Sequence, residues 1–288
     1  MLRVPTGEAA DAHYDPDNLK RLHSARNAKA GPNVLSMRDG IEFVIETFGG
    51  RPTVHEGFCV DPHMALEMDY FLDAAQNKRR LLDIGGLVGT FSLAFTSRPN
   101  TEAMVIEPSP HGLTGLRRNC LLNSDRNIRI VDVAAGGHEG TISMKTDWMH
   151  LMAVNPATTS TDPVTQISVR TVDSLLFDHR YCPDIVKIDV EGYEKRVLDG
   201  MAQLLAVVRP DLHIEIHPGF LLDLGDRTRD VFEILHRADY KLLQIANQPH
   251  IIDVPTLRDV DLDYYDQTGV MHFHCVHISS DWARRIRG

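Results

Sequence analysis

The chain has 288 residues, 43% of them hydrophobic, which is enough for one large α/β domain with a full core and a short extension. Its formal net charge of -10 at pH 7 argues against general nucleic-acid binding, because neutralising phosphates needs surplus Lys and Arg on one face. Cys59, Cys120, Cys182 and Cys275 form no C-x-x-C pair, which disfavours a zinc ribbon, a thioredoxin-like site or a disulfide framework.

Met1 to Asn18 is polar and acidic with no signal-peptide core, and no apolar run approaches the ~20 residues of a membrane helix, so a cytoplasmic protein without membrane contact is expected. Residues before about Asn33 read as a loose arm or short helix, and Ile41 to Glu46 alternates like an edge strand. Residues 1–60 are therefore taken as an N-terminal extension, and 61–288 as the main domain. Asp61-Pro62 opens a helix with an apolar stripe from Met64 to Leu72.

From Arg80 the pattern repeats strand, turn and helix. Strands are expected at Leu81–Ile84, Ala103–Ile106, Ile128–Ala134, Asp184–Asp189, Asp211–Ile216, Tyr240–Ile245 and Val270–Ile278. Helices are expected at Phe91–Phe95, Gly112–Leu122, Glu194–Leu205 and Arg229–Ala238. Such alternation implies βαβ units and a mainly parallel sheet covered on both faces. A β-pair, Gly140–Lys145 and Thr165–Val172, flanks a polar segment, Asp147 to Pro163, and Pro249 to Gly269 reads as a second long loop. Arg284, Arg285 and Arg287 read as a solvated helix end.

Four motifs carry chemistry. Asp83-Ile84-Gly85-Gly86-Leu87-Val88-Gly89 joins the first main strand to its helix, where Gly85 and Gly89 let the backbone bend tightly beside a ligand. Leu87 and Thr90 stand where a dinucleotide fingerprint needs Gly, whereas Asp83 suits a ligand carrying an amino group; the bland alternative is a plain strand-to-helix turn. Glu107-Pro108 follows the second strand ~20 residues later, where a carboxylate accepts bonds from both ribose hydroxyls of a nucleoside. Lys187-Ile188-Asp189-Val190-Glu191-Gly192-Tyr193-Glu194 ends the fourth strand with ionisable groups that must be paired or used, a Lys187–Asp189 ion pair being the structural reading. Glu215-Ile216-His217-Pro218 ends the fifth, and its His could be a general base or simply structural.

The succession D-I-G-G-x-x-G, V-I-E-P-S-P, L-R-R-N-x-x-x-N, V-x-T-V-D-S-L-L, D-I-V-K-I-D-V-E-G-Y-E, V-L-D-G and R-P-D-L-H-I-E-I-H, over about Leu81 to Tyr240, closely resembles the FkbM-type family of S-adenosylmethionine-dependent methyltransferases. The resemblance implies a Rossmann-like class I methyltransferase fold, a mostly parallel seven-stranded sheet with helices on both faces and an antiparallel last strand. It implies that Asp83, Gly85, Gly86 and Gly89 surround the methionine part of S-adenosylmethionine and that Glu107 binds its ribose. Asp132, Val133 and Ala134 would then lie beside the adenine. The family's usual Ala-Asn is replaced here by Gly86-Leu87, which removes a polar contact near the cofactor.

Methyl transfer needs alignment and removal of the acceptor's proton. O-methylation of a sugar, polyketide or other small natural product is expected, with Asp189 or His217 as base and Glu191 and Glu215 orienting it. A divalent metal on Asp189, Glu191 or Glu215 is a second way to acidify the hydroxyl. The two long loops would read the acceptor. The rivals are a nicotinamide-dependent oxidoreductase and a catalytically silent cofactor-binding protein.

Overall fold

Leu81, Leu82 and Ile84 on one strand, and Ile185, Val186 and Ile188 on its neighbour, are at most 1% exposed. Runs of this kind, each interrupted by a single buried charge (Asp83, Lys187), mark strands buried on both faces. In the computed structural model, which describes residues 24–26, 32–46, 62–147, 150–153, 164–246 and 249–280, they form the centre of an eight-stranded sheet.

In chain order its strands are β1 (Arg80–Ile84), β2 (Glu102–Ile106), β3 (Ile128–Val131), β4 (Ile185–Ile188), β5 (Asp211–Ile216), β6 (Tyr240–Ile245), β7 (His250–Ile252) and β8 (Met271–His277). Across the sheet the order is β7-β6-β8-β5-β4-β1-β2-β3. The run from β3 to β5 is parallel. Strand β8 enters antiparallel between β5 and β6. The order reverses beside β1, which leaves a crevice outside the carboxyl ends of β1 and β4.

The helices are α1 (Pro62–Ala75), α2 (Thr90–Thr96), α3 (Pro110–Leu122), α4 (Val172–His179), α5 (Glu194–Asp199), α6 (Pro218–Asp223), α7 (Thr228–Arg237) and α8 (Asp259–Gln267). Helix α3 starts two residues earlier than expected, because Ser109 accepts the Gly112 N–H at 3.2 Å and Pro110 occupies the first turn. Helix α5 stops at Gly200 instead of running to Leu205. A Cβ at Gly200 would lie 2.0 Å from the Gly136 carbonyl oxygen, so the chain is pinned there. Asp173 then takes the N–H groups of Gln203 and Leu204, both at 2.9 Å, and opens a separate π turn, Leu204–Val208.

Four expectations change in the structure. Strand Glu42–Glu46 is an edge strand as expected, but of a separate three-stranded antiparallel sheet with Pro32–Ser36 and Ser24–Arg26. Its open backbone groups are met from α3 instead, where Asn123 and Asn119 accept the N–H groups of Val44 and Glu46 at 2.8 Å. Phe43 and Ile45 thereby join a core with Phe71, Phe91 and Phe95, so part of the expected extension is packed into the domain. Strand β3 ends at Val131, and Ala134–Ala135 pairs instead in a second sheet of order Ala134–Ala135, Val164–Arg170, Gly140–Asp147, His150–Ala153.

The polar segment from Asp147 thus begins with a strand, while residues 154–163 lie outside the described residues, as do most of the expected arm and the basic tail. Finally, Pro249 to Gly269 is not a loop. It holds β7, a 3₁₀ turn at Val254–Thr256 and α8. Asp261 accepts the Arg258 N–H at 2.9 Å, Asp266 accepts the Thr228 N–H at 3.0 Å, and Leu262 and Tyr265 pack against the main core. The acidic first turn favours a helix N-terminus, and the i,i+3 apolar pair gives α8 its buried side. Among the described residues no helix is long and apolar enough to cross a membrane.

Candidate active site

The turn after β1 is built by contact between strand ends. Gly85 has φ +79°, and a Cβ there would lie 1.8 Å from the Asp189 carbonyl oxygen, so only glycine fits. Leu87 also sits in the left-handed region, at φ 46°, which is unfavourable for a branched side chain. Its N–H donates to Glu107 Oε2 at 2.8 Å, and the Ser109 N–H donates to Glu107 Oε1 at 2.6 Å. Burial lifts Glu107 to about 7, against the pull of these two donors. Asp83 accepts the Ser92 hydroxyl on Oδ2 at 2.6 Å, while its buried Oδ1 has no hydrogen-bond partner. Burial also raises Asp83, with Lys187 and Ser92 opposing.

Gly85, Leu87, Glu107 and Ser109 border a crevice of about 670 Å³, whereas Asp83 is buried and does not line it. Of the expected cofactor residues, Gly85, Glu107 and Ala134 line it. Gly86 packs beneath the turn, where a Cβ would meet Val105 at 2.3 Å, and Gly89 caps the start of α2. Val133 packs against the main core. Asp132 turns outward, 57% exposed and paired with Arg117 at 2.9 Å, because the chain leaves β3 just before it, and it does not line the crevice. Ser109, Tyr193, Ile142 and Met144 line the crevice but were not anticipated. Ser109 carried a signal as the cap following Glu107. Ile142 and Met144 alternate along an expected strand, yet their side toward the crevice depends on how the second sheet folds over.

The ionisable groups converge on the other wall. Strands β4 and β5 are neighbours, as expected, so Asp189 and His217 meet. The ion pair Lys187–Asp189 is present at 3.0 Å, with Lys187 buried and its ammonium 4.5 Å from the Phe91 ring centre. Burial raises Asp189, and Lys187 pulls the other way. His217 places Nδ1 2.8 Å from Glu194 Oε1, and Nε2 3.4 Å from Glu215 Oε1 and 3.5 Å from Glu191 Oε2. Burial opposes its charge, but hydrogen bonds to Glu194 and Glu215 raise it to about 11. His217 is therefore an imidazolium at neutral pH, with no lone pair to receive a proton. That charge state weighs against His217 as the base and leaves Asp189 as the better placed of the two expected candidates.

Burial works against the charge of Glu215 too, but the bond to His217 holds it below the usual carboxylate range. Glu67 of α1 was not anticipated. It is buried, 3.1 Å from His213 Nε2 and 3.5 Å from His272 Nδ1. Nothing in the α1 pattern distinguishes it from a solvated glutamate.

Donor atoms of Asp189, Glu215 and His217 lie within 4.8 Å of one another, as do those of Glu67, Glu215 and His272. Lys187 and the His217 imidazolium already sit among the first group as counter-charges. With a cation of the chain's own against Asp189 and another against Glu215, the donor set does not call for a divalent ion.

A parallel sheet reversing beside β1, an antiparallel strand set between β5 and β6, and a glycine turn bonded to a buried acid at the end of β2 define a class I methyltransferase fold. The chain belongs to the FkbM methyltransferase family, whose domain model, described as Methyltransferase FkbM domain, matches residues 83–242. No curated protein matches the sequence.

Among solved structures, the chain is similar to the FkbM methyltransferase of Methylobacillus flagellatus KT, at 18% identity and TM-score 0.43, over 78% of this chain and 54% of that one. It thus spans little more than half of that protein. It is also similar to a SAM-dependent methyltransferase of Agrobacterium tumefaciens, at 10% identity and TM-score 0.46, over 86% of this chain and 70% of that one. A third is the precorrin-6y C5,15-methyltransferase of Geobacter metallireducens GS-15, at 13% identity and TM-score 0.40, over 73% and 86%.

Proposed function

We propose that the protein transfers a methyl group from S-adenosylmethionine to a hydroxyl oxygen of a sugar, polyketide or other small natural product. The observation that carries the reading is one crevice lined by both Glu107 and Asp189. The residues present fit the cofactor. Glu107 is a buried acceptor suited to two ribose hydroxyls, and Asp83 keeps a buried oxygen without a donor, as an amino group would require. Gly85 to Gly89 would hold the methionine part, and Val133 and Ala134 would flank the adenine. When bound, S-adenosylmethionine supplies an electrophilic methyl group.

The chain's own contribution is orientation and proton removal. Asp189 lines the crevice, and burial raises its proton affinity, which suits a carboxylate base. Lys187 fixes one of its oxygens from below, so the carboxylate is held in place for an acceptor hydroxyl. Glu191, also on the crevice, is placed to orient that acceptor. Calorimetric titration with S-adenosylmethionine and with NAD, followed by assay of S-adenosylhomocysteine release against a panel of hydroxylated acceptors, tests the reading. Binding of S-adenosylmethionine with turnover on a hydroxyl is expected. Binding of NAD alone would make the protein an oxidoreductase, and cofactor binding without turnover on any acceptor would make it a binding protein.

A further inference from the structure

We propose that Glu194 is a positioning residue for the reaction: it locks the His217 ring, so that one buried cation gathers Glu191 and Glu215 beside Asp189. The proposal rests on the reading of Asp189 as the base. Glu194 opens α5 and is fully buried, and Oε1 receives both the Gly192 N–H at 3.0 Å and His217 Nδ1 at 2.8 Å. A buried carboxylate needs a partner of this kind, since an unpaired charge in the interior is strongly unfavourable.

The ring is clamped twice. Nδ1 is bound to Glu194, and one face stacks on Phe220, with centroids 5.9 Å apart and planes within 20°. With both constraints set, Nε2 lies 3.4 Å from Glu215 and 3.5 Å from Glu191. The dyad therefore ties the segment after β4 to the end of β5, the two stretches that frame the base.

The charged groups around the ring come from several elements. Glu194 and Glu191 lie after β4, Asp189 and Lys187 on or just beyond it, and Glu215 on β5; beyond Glu215 stand His272 of β8 and Glu67 of α1. Remove the imidazolium and Asp189, Glu191 and Glu215 face one another with Lys187 as the near cation. Their repulsion then raises the proton affinity of Asp189 and spreads the carboxylates apart. A cation held by Glu194 prevents both.

The test has two readouts. In the intact protein, NMR of the histidine ring nitrogens, with His217 assigned from His217→Gln, should show no titration of His217 between pH 6 and 9. In Glu194→Gln it should titrate inside that range, and kcat should fall 10- to 100-fold with the Kd for S-adenosylmethionine unchanged. The acid limb of the kcat profile should also move to higher pH, and Glu194→Asp should recover part of kcat. The double variant Glu194→Gln/His217→Gln buries no charge at this pair, so it keeps the proposal falsifiable if Glu194→Gln fails to fold. It should stay as slow as the single variants. A wild-type His217 titrating near 6.5, or a double variant restored to full kcat, would overturn the proposal. If wild type fails to bind S-adenosylmethionine, the methyl-transfer reading fails instead, a result separate from the NMR readout.

Discussion

The Leu87 N–H donates to Glu107 Oε2 at 2.8 Å, so the glycine turn after β1 and the acid ending β2 form one hydrogen-bonded unit. A ligand held by Glu107 is therefore also held against the turn. Loss of the carboxylate should affect both.

Glu107→Ala should weaken S-adenosylmethionine binding by ~2–3 kcal/mol, as for charge-assisted hydrogen bonds. The ionised form is the acceptor, and burial lifts Glu107 to about 7. Wild-type affinity should therefore fall as pH drops below about 7, while Glu107→Gln should be nearly flat over the same range. Calorimetry from pH 5.5 to 8.5 on folded protein checks both, and an unchanged Kd in Glu107→Ala would remove the residue from the site.

Gly85→Ala tests the contact between strand ends. The added carbon would fall 1.8 Å from the Asp189 carbonyl oxygen at a backbone angle of +79°. Overpacking and left-handed strain together should destabilise the fold by about 3 kcal/mol or more and abolish cofactor binding. Denaturant melts and calorimetry would show it. A variant as stable as wild type would mean the turn adjusts freely.

Most of the sheet was legible because its signals are local. The runs at Leu81–Ile84 and Ile185–Ile188 are apolar but for Asp83 and Lys187, and Gly85 and Glu107 follow their strands directly. What could not be read depends on partners distant in the chain. The charge state of His217 is set by Glu194, 23 residues away, and nothing near His217 reports a fully buried glutamate. Glu67 looks like any acid on α1 until β5 and β8 bring His213 and His272 to it. The acidity of the segment from Pro249 suggests a loop, yet Asp261 within it caps α8. Asp132 was placed in the site by position after β3, but the chain departs to a second sheet at that point.

Metal removal discriminates how the carboxylate wall is balanced. Lys187 and His217 supply its counter-charges. EDTA should leave turnover unchanged, and added Mg²⁺ or Mn²⁺ should not raise it. Turnover abolished by EDTA and restored by a divalent ion would make Asp189, Glu215 and His217 a metal site.

The His217 cluster also predicts a pH dependence of stability. Its folded-state pKa, about 11, is above the ordinary ~6.5, so its contribution is fully present below about 6.5 and is lost as pH rises toward about 11. The stability gap between wild type and His217→Gln should thus be widest near pH 6 and narrow steadily by pH 10. Urea titrations at pH 6, 8 and 10 measure it. A gap that grows with pH would show that His217 is neutral in the folded protein.

The base itself is tested by Asp189→Asn. The amide keeps the shape of the side chain but cannot take a proton, so kcat should drop roughly 10²- to 10⁴-fold, the usual range for a positioned acid or base. Lys187 loses its charged partner in this variant, so stability must be measured alongside, and cofactor affinity should change little because Glu107 is the proposed ribose acceptor. In wild type, kcat should rise through the raised pKa of Asp189 and then stay level, since His217 remains charged up to about 11. A histidine base would instead place its limb near 6.5 and disappear in His217→Gln. If Asp189→Asn turns over at the wild-type rate, the proton leaves by another route, and Glu191, the other carboxylate on the crevice, becomes the group to replace.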